Sequence, residues 1–204
     1  MELRPTYPIA TKRLRLRPLV VDDMEALLAY RGCAEVCRYL PFEPMNAQGL
    51  AARLASDLGR REITAEGQGL TLGVELADTG RLVGDVVLFF HSAQHAGGEI
   101  GYVFHPDIGG QGYATEACAA VLDLAFDKSE GLGLHRVVAR MDARNGSSAR
   151  TASRLGMRQE AHFRSSEMFK GAWADHVVFA LLDDEWRTCR EDRWHRHGDG
   201  DLSP

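Results

Sequence analysis

The chain has 204 residues, of which 45% are hydrophobic, enough to bury the core of one domain. Its 24 basic and 29 acidic side chains leave a formal charge of -5, which excludes a general attraction to nucleic acid or an anionic membrane surface. No apolar run approaches the roughly 20 residues that cross a bilayer, and MELRPTYPIATKRLRLRP at the start lacks the apolar core of a signal peptide, so a cytoplasmic location is expected.

Taken in order, RLRLR at 13–17 alternates leucine with arginine and reads as a strand with one wet face. Asp22 and Glu25 have the spacing of a helix-capping pair, followed by Met24, Leu27 and Leu28 at helical period. Cys33 and Cys37 come next; with Cys118 and Cys189 they are too scattered for a disulfide framework and have no second pair to complete a zinc site. Reduced thiols and no metal are expected. Asn46 can cap a second helix carrying Leu50, Leu54 and Leu58.

The period then changes. Leu70, Leu72, Val74 and Leu76 alternate, DTG at 78–80 supplies turn chemistry, and RLVGDVVLFF at 81–90 completes an antiparallel hairpin. EIGYVFH at 99–105 is a third strand of this region, ended by Pro106 and Asp107. Gly109, Gly110 and Gly112 follow, then a helix with Ala114, Ala117, Cys118, Val121, Leu122 and Ala125 on one face. HRVVARM at 135–141 is a strand, NGSS at 145–148 can cap a helix that ends at Leu155 and Gly156, and 158–164 and 174–182 are closing strands. Residues 1–186 are expected to form a single domain and 187–204 a frayed, charged tail, with His195 and His197 solvated there.

Glycines that join a strand to a helix suit an anion. The first N–H groups of a helix lack intrahelical partners and the peptide dipoles make that end positive, so a phosphate is stabilised there. A Walker loop needs a lysine after its second glycine, whereas Tyr113 and Ala114 follow Gly112. A dinucleotide fingerprint needs G-x-G-x-x-G/A, and Gly110-Gln111-Gly112-Tyr113-Ala114 is one residue short. Coenzyme A, with its pyrophosphate, remains as the third class.

The runs EIGYVFHPDIGGQGYATEACAAVLDLAF and LGLHRVVARMDARNGSSARTASRLGM, with W-x-D-H-x-V-x-x-L-x-x-x-EW at 173–186, together resemble the GCN5-related N-acetyltransferases. They are closest to the branch of the ribosomal-protein N-terminal acetyltransferases of the RimJ/RimL type. The resemblance implies an α+β, three-layer fold: a mixed, mostly antiparallel twisted sheet of about six or seven strands flanked by about four helices. It implies acetyl-CoA as co-substrate, with the pyrophosphate signature on Gly109, Gly110, Gln111, Gly112, Tyr113 and Ala114. Gly109 departs from the family's glutamine or arginine, so main-chain N–H groups, with the Thr115 hydroxyl, must hold the phosphates. The freed main chain of Tyr102, Val103, Phe104 and His105 is implied to bind the pantetheine arm, and Asn145 and Ser148 to contact the arm and thiol. Both also suit plain helix capping.

The implied chemistry needs an amine to lose a proton and a thiolate to leave. Glu99 is the candidate base and Ser148 the candidate thiolate donor, with direct transfer favoured over an acyl-cysteine because Cys118 sits on the apolar helical face. Arg31, Arg38, Glu43, Glu167, Asp175 and His176 are the candidate acceptor residues. The acceptor implied by the resemblance is a primary amine: a protein N-terminus in the resembled branch, or a polyamine, amino sugar or antibiotic on the same scaffold. A coenzyme-binding sensor without transfer activity stays open, as does an assembly subunit; no nucleic acid or membrane partner is expected, and the chain is expected as a monomer or homodimer.

Overall fold

The computed structural model describes the backbone of residues 1–198 and the side chains of residues 1–190. A two-residue strand β1 (Ile9–Ala10) precedes β2 (Leu14–Pro18), in which Leu14 and Leu16 are buried and Arg15 is exposed, as alternation requires. The first helix begins one residue later than the expected cap. A 3₁₀ turn, Val21–Asp23, leads into α1 (Met24–Arg31), and it is Asp23, not Asp22, whose carboxylate accepts the Val20 N–H at 2.8 Å and both Arg17 Nη groups at 2.8 and 2.7 Å. The short α2 (Ala34–Cys37) follows, then α3 (Ala47–Arg53), where Asn46 Oδ1 accepts the Gly49 N–H at 2.8 Å as an N-cap should. This helix runs into one π-helical turn, Leu54–Leu58, closed by Gly59 N–H donating to the Leu54 carbonyl at 3.2 Å.

The remaining elements are β3 (Gly69–Leu76), β4 (Leu82–Ser92), β5 (Gly97–Phe104), α4 (Tyr113–Phe126), β6 (Arg136–Asp142), α5 (Gly146–Arg154), β7 (Arg158–Phe169), β8 (Ala172–Leu182) and α6 (Asp183–Gly198). The strands form one sheet in the order β1-β2-β3-β4-β5-β6-β8-β7, antiparallel except for the β5/β6 pair. The sheet is mixed and mostly antiparallel, as expected. It has eight strands rather than six or seven, the addition being β1, too short to carry a period. The helices beyond the expected four are α2 and α6.

Two apolar clusters lie on opposite faces of the sheet. One gathers Leu19, Leu27, Tyr30, Leu50, Leu54, Leu58, Leu82 and Val103, so α1, α3 and the π turn cover that face. The other joins Leu14, Leu16 and Leu72 to Ala117, Cys118, Val121 and Leu122 of α4 and to Leu155 and Trp186. Each fully buried leucine or valine contributes about 1.5–3 kcal/mol. The alternation along β5 sends Val103 into one cluster and Tyr102 and Phe104 toward the other.

The segment from residue 187, expected as a charged tail, continues a helix: α6 starts at Asp183 and its backbone is helical to Gly198. Charge composition hides two anchors three residues apart. Trp186 is 4% exposed, its ring lies 6.4 Å from that of Phe126 and its Nε1 donates to Asp123 Oδ1 at 2.9 Å, while Cys189 packs on the same core. Asp183, Asp184 and Glu185 in the first turn complement the helix dipole. The side chains of His195 and His197, and residues 199–204 altogether, lie outside the described residues.

Candidate active site

The pairing of β5 with β6 is brief. Gly97, Gly98 and Glu99 register with Arg136, Val137 and Val138, and the ladder stops there. Beyond it β5 stays paired with β4 as far as Phe104 while β6 stays paired with β8 as far as Asp142, so a gap opens through the middle of the sheet. His105 N–H donates to the Val83 carbonyl at 2.8 Å, on the β4 side. Peptide groups alternate along a strand, so those of Tyr102 and Phe104 point into the gap.

At the end of β5 the chain passes through Pro106–Ile108 to the glycines and α4. Gly110 and Gly112 both have φ of +79°, a left-handed conformation that side chains disfavour, and Gly112 is the N-cap of α4. Among the described residues the N–H groups of 110–115 donate to nothing, the first recorded bond of the helix being Glu116 N–H to the Gly112 carbonyl at 3.0 Å. The turn is held from outside by a residue that periodicity does not single out. Arg13 on the approach to β2 donates from Nη1 to the Gln111 carbonyl at 2.9 Å and from Nε to Glu116 at 2.7 Å, and its guanidinium lies 4.5 Å from the Tyr113 ring centre. Glu116 also accepts from Thr11 Oγ1 at 2.7 Å; burial raises its pKa, but the hydrogen bonds from Thr11 and Arg13 outweigh that and hold it below the usual range.

A cavity of about 430 Å³ occupies the gap, bounded by Ile100–Val103 of β5, Ala139–Met141 of β6, and Asn145 and Ser148 at the start of α5. Asn145 Oδ1 accepts from Ser147 Oγ at 2.9 Å and Ser148 N–H at 3.2 Å, which caps α5 and leaves the amide NH₂ as the group able to donate to a ligand. Tyr102 Oη donates to the Ser148 carbonyl at 2.8 Å, and burial pushes this hydroxyl far above its ordinary range, so it stays protonated. Glu99 Oε2 accepts from Arg140 Nη1 at 2.6 Å and lies 3.1 Å from His91 Nε2, whose ring stacks on Phe89. Its other oxygen, Oε1, has no hydrogen bond among the described residues.

The far wall is built by α1, the turn after α2, the π turn and β3–β4. Arg31 and Asp85 are both buried there and joined at 2.6 and 2.9 Å, with Tyr30 Oη donating to Asp85 at 2.7 Å. Phe42 covers Arg31, the guanidinium lying 5.3 Å from the ring centre. Arg53 pairs with Asp57 across the π turn at 2.7 Å.

Of the acceptor residues named from sequence, Arg31 alone is on the cavity wall. Glu43 and Glu167 are largely exposed, Arg38 lies over Tyr39, and Asp175 accepts from Ser165 N–H at 2.8 Å and pairs with His162 at 3.0 Å. His176 is mostly buried, 3.5 Å from Glu167. The residues sequence missed, Arg53, Asp57, Arg60, Asp85 and Arg140, come from four elements and the loop after the π turn; no local spacing unites them. Cys118 is fully buried and burial pushes its thiol up, and no cysteine lines the cavity. No group of three His, Cys, Asp or Glu side chains among the described residues is placed to hold a metal, and no described helix is long and apolar enough to cross a membrane.

This architecture is shared. The acetyltransferase (GNAT) domain family matches residues 13–158. The chain is 30% identical over 181 residues to the uncharacterized N-acetyltransferase YnaD of Bacillus subtilis, covering 87% of this chain and 98% of that protein. It is 37% identical over 183 residues to the probable N-acetyltransferase YjcK of the same organism, covering 85% and 97%. A crystal structure of a GNAT-family acetyltransferase from Bacillus anthracis superposes with a TM-score of 0.76 at 28% identity, covering 86% of this chain and 98% of that one. A split sheet, a left-handed glycine turn at the mouth of α4 and these matches together make the chain a member of the GNAT acetyltransferase family.

Proposed function

We propose that the protein transfers the acetyl group of acetyl-CoA to a primary amine by direct attack, with both substrates in the gap at once. The observation that carries this reading is the end of the β5/β6 ladder at Glu99, which leaves the peptide groups of Tyr102 and Phe104 facing open space. An extended amide-bearing arm can pair with them as a strand would. The coenzyme fits the residues present: free N–H groups at 110–115 for its pyrophosphate, with Arg13 adding positive charge beside Gly112, the role that Gly109 has no side chain to fill. The Asn145 amide then faces the arm, and the Ser148 hydroxyl the sulfur. The wider groove of about 1040 Å³ along α4, which begins at Gly110, has room for the nucleotide half.

Bound there, acetyl-CoA supplies the activated acyl group. The chain's residues do the rest. Glu99 Oε1 takes the amine proton, directly or through one water, while Arg140 and His91 hold the other oxygen. A β5 peptide N–H polarises the acyl carbonyl and Ser148 donates to the departing sulfur. A covalent acyl-cysteine route lacks a nucleophile, because Cys118 is buried as a thiol.

The test is acetyl-CoA-dependent thiol release across N-terminal peptides, amino acids, polyamines, amino sugars and aminoglycosides. Release with at least one class is expected. No release with any of them, while acetyl-CoA still binds, overturns transfer in favour of coenzyme sensing.

A further inference from the structure

The cavity wall carries four arginines, Arg31, Arg53, Arg60 and Arg140, against three carboxylates, Asp57, Asp85 and Glu99. Arg31 is joined to Asp85 at 2.6 Å, Arg53 to Asp57 at 2.7 Å and Arg140 to Glu99 at 2.6 Å. Each carboxylate is used once, and Arg60 is left over. Among the described residues its guanidinium enters no ion pair or hydrogen bond, and its Nε is buried without a partner. A buried donor left unsatisfied is costly, and guanidinium is the side chain best shaped to take a carboxylate.

Resting on the transfer reading above, we propose that Arg60 recognises an acid group on the acceptor, so that the amine acetylated also carries a carboxylate. The site follows the π turn Leu54–Leu58, on the opposite side of the cavity from Asn145 and Ser148. The acyl end of the coenzyme takes part of the 430 Å³, leaving space for a small acceptor with its amine toward Glu99 and its acid toward Arg60. The surplus charge also selects. A polyamine brings several positive charges to a wall that already has one too many, whereas a zwitterion neutralises it. The same chemistry can come from a free amino acid or from a peptide N-terminus with an acidic second residue.

The deciding experiment compares kcat/KM for matched acceptors: free amino acids against their carboxamides, lysine against cadaverine, peptides with aspartate against asparagine at position two, and spermidine. Acids are expected to exceed their neutral or amine partners by about tenfold or more, the worth of one charge-assisted hydrogen bond. Arg60→Gln is expected to collapse that ratio toward one with the acetyl-CoA KM unchanged, and Arg60→Lys to restore part of it. A preference confined to the peptide pair assigns the carboxylate to a protein substrate. Spermidine or the carboxamides leading, or a ratio indifferent to Arg60→Gln, overturns the inference while transfer stands. Should no amine release thiol, thermal shifts with CoA present decide it. Stabilisation by amino acids but not carboxamides, lost in Arg60→Gln, supports the Arg60 site; equal shifts, or none, overturn it.

Discussion

Residues 110–115 leave their peptide N–H groups free at the mouth of α4, whereas the wall of the 430 Å³ cavity carries guanidinium groups and carboxylates. The first surface is made by one continuous turn. It needs only backbone conformation, which glycine at 110 and 112 permits, and a clamp from Arg13. The second is collected from α1, α3, the π turn, β4, β5 and β6, and most of its charged groups are set in pairs. On the function proposed above, the first surface holds the coenzyme and the second chooses the acceptor. The coenzyme side therefore tolerates little change in backbone, and the acceptor side little change in charge.

The largest effect is expected at Glu99. If the acceptor side performs the proton transfer, Glu99→Gln lowers kcat about 10²–10⁴-fold with the acetyl-CoA KM unaltered, read by steady-state thiol release. An unchanged kcat removes Glu99 from the mechanism. Asp85→Asn tests the wall's framework: it leaves the 4%-exposed Arg31 without its counter-charge, a loss of about 3–5 kcal/mol visible in the urea midpoint. Gly112→Glu attacks the other side. A carboxylate in the phosphate cradle at φ +79° is expected to weaken acetyl-CoA binding at least ~100-fold by repulsion and strain, measured calorimetrically; wild-type affinity there refutes the cradle.

The smallest effect concerns acid. Glu116 has a folded pKa below its unfolded value, so its clamp to Thr11 and Arg13 stabilises the fold above about pH 4.3 and is lost as pH falls through the lower folded value. Glu116→Gln is expected to remove about 1 kcal/mol at neutral pH and to flatten this part of the acid limb in melting temperature from pH 7 to 3. A variant that keeps the wild-type acid limb shows that the clamp contributes nothing to it.

The same division explains what could be read in advance. The glycine turn, the β3–β4 hairpin and the apolar face of α4 follow from local spacing, and each lies where the sequence puts it. Arg31 lies on the cavity wall, but Asp85, its partner 54 positions away, is an ordinary strand residue until the sheet closes. Arg53 and Asp57 have the i, i+4 spacing of any solvated helix pair, and only the π turn places them on the wall. Tail helicity escaped for the converse reason: Trp186 and Cys189 are two apolar residues among charges, and their burial depends on Phe126 and Asp123 far upstream.

The sheet's two halves, β1–β5 and β6–β8, share backbone hydrogen bonds over three residue pairs at one end of their seam. A ligand that supplies the missing rungs works as a removable strand, and the molecule approaches the cohesion of an uninterrupted sheet when that strand is in place. Occupancy then stabilises the folded chain with the logarithm of ligand concentration over its dissociation constant. On the function proposed above, acetyl-CoA supply then governs how long the protein survives proteolysis as well as how fast it turns over.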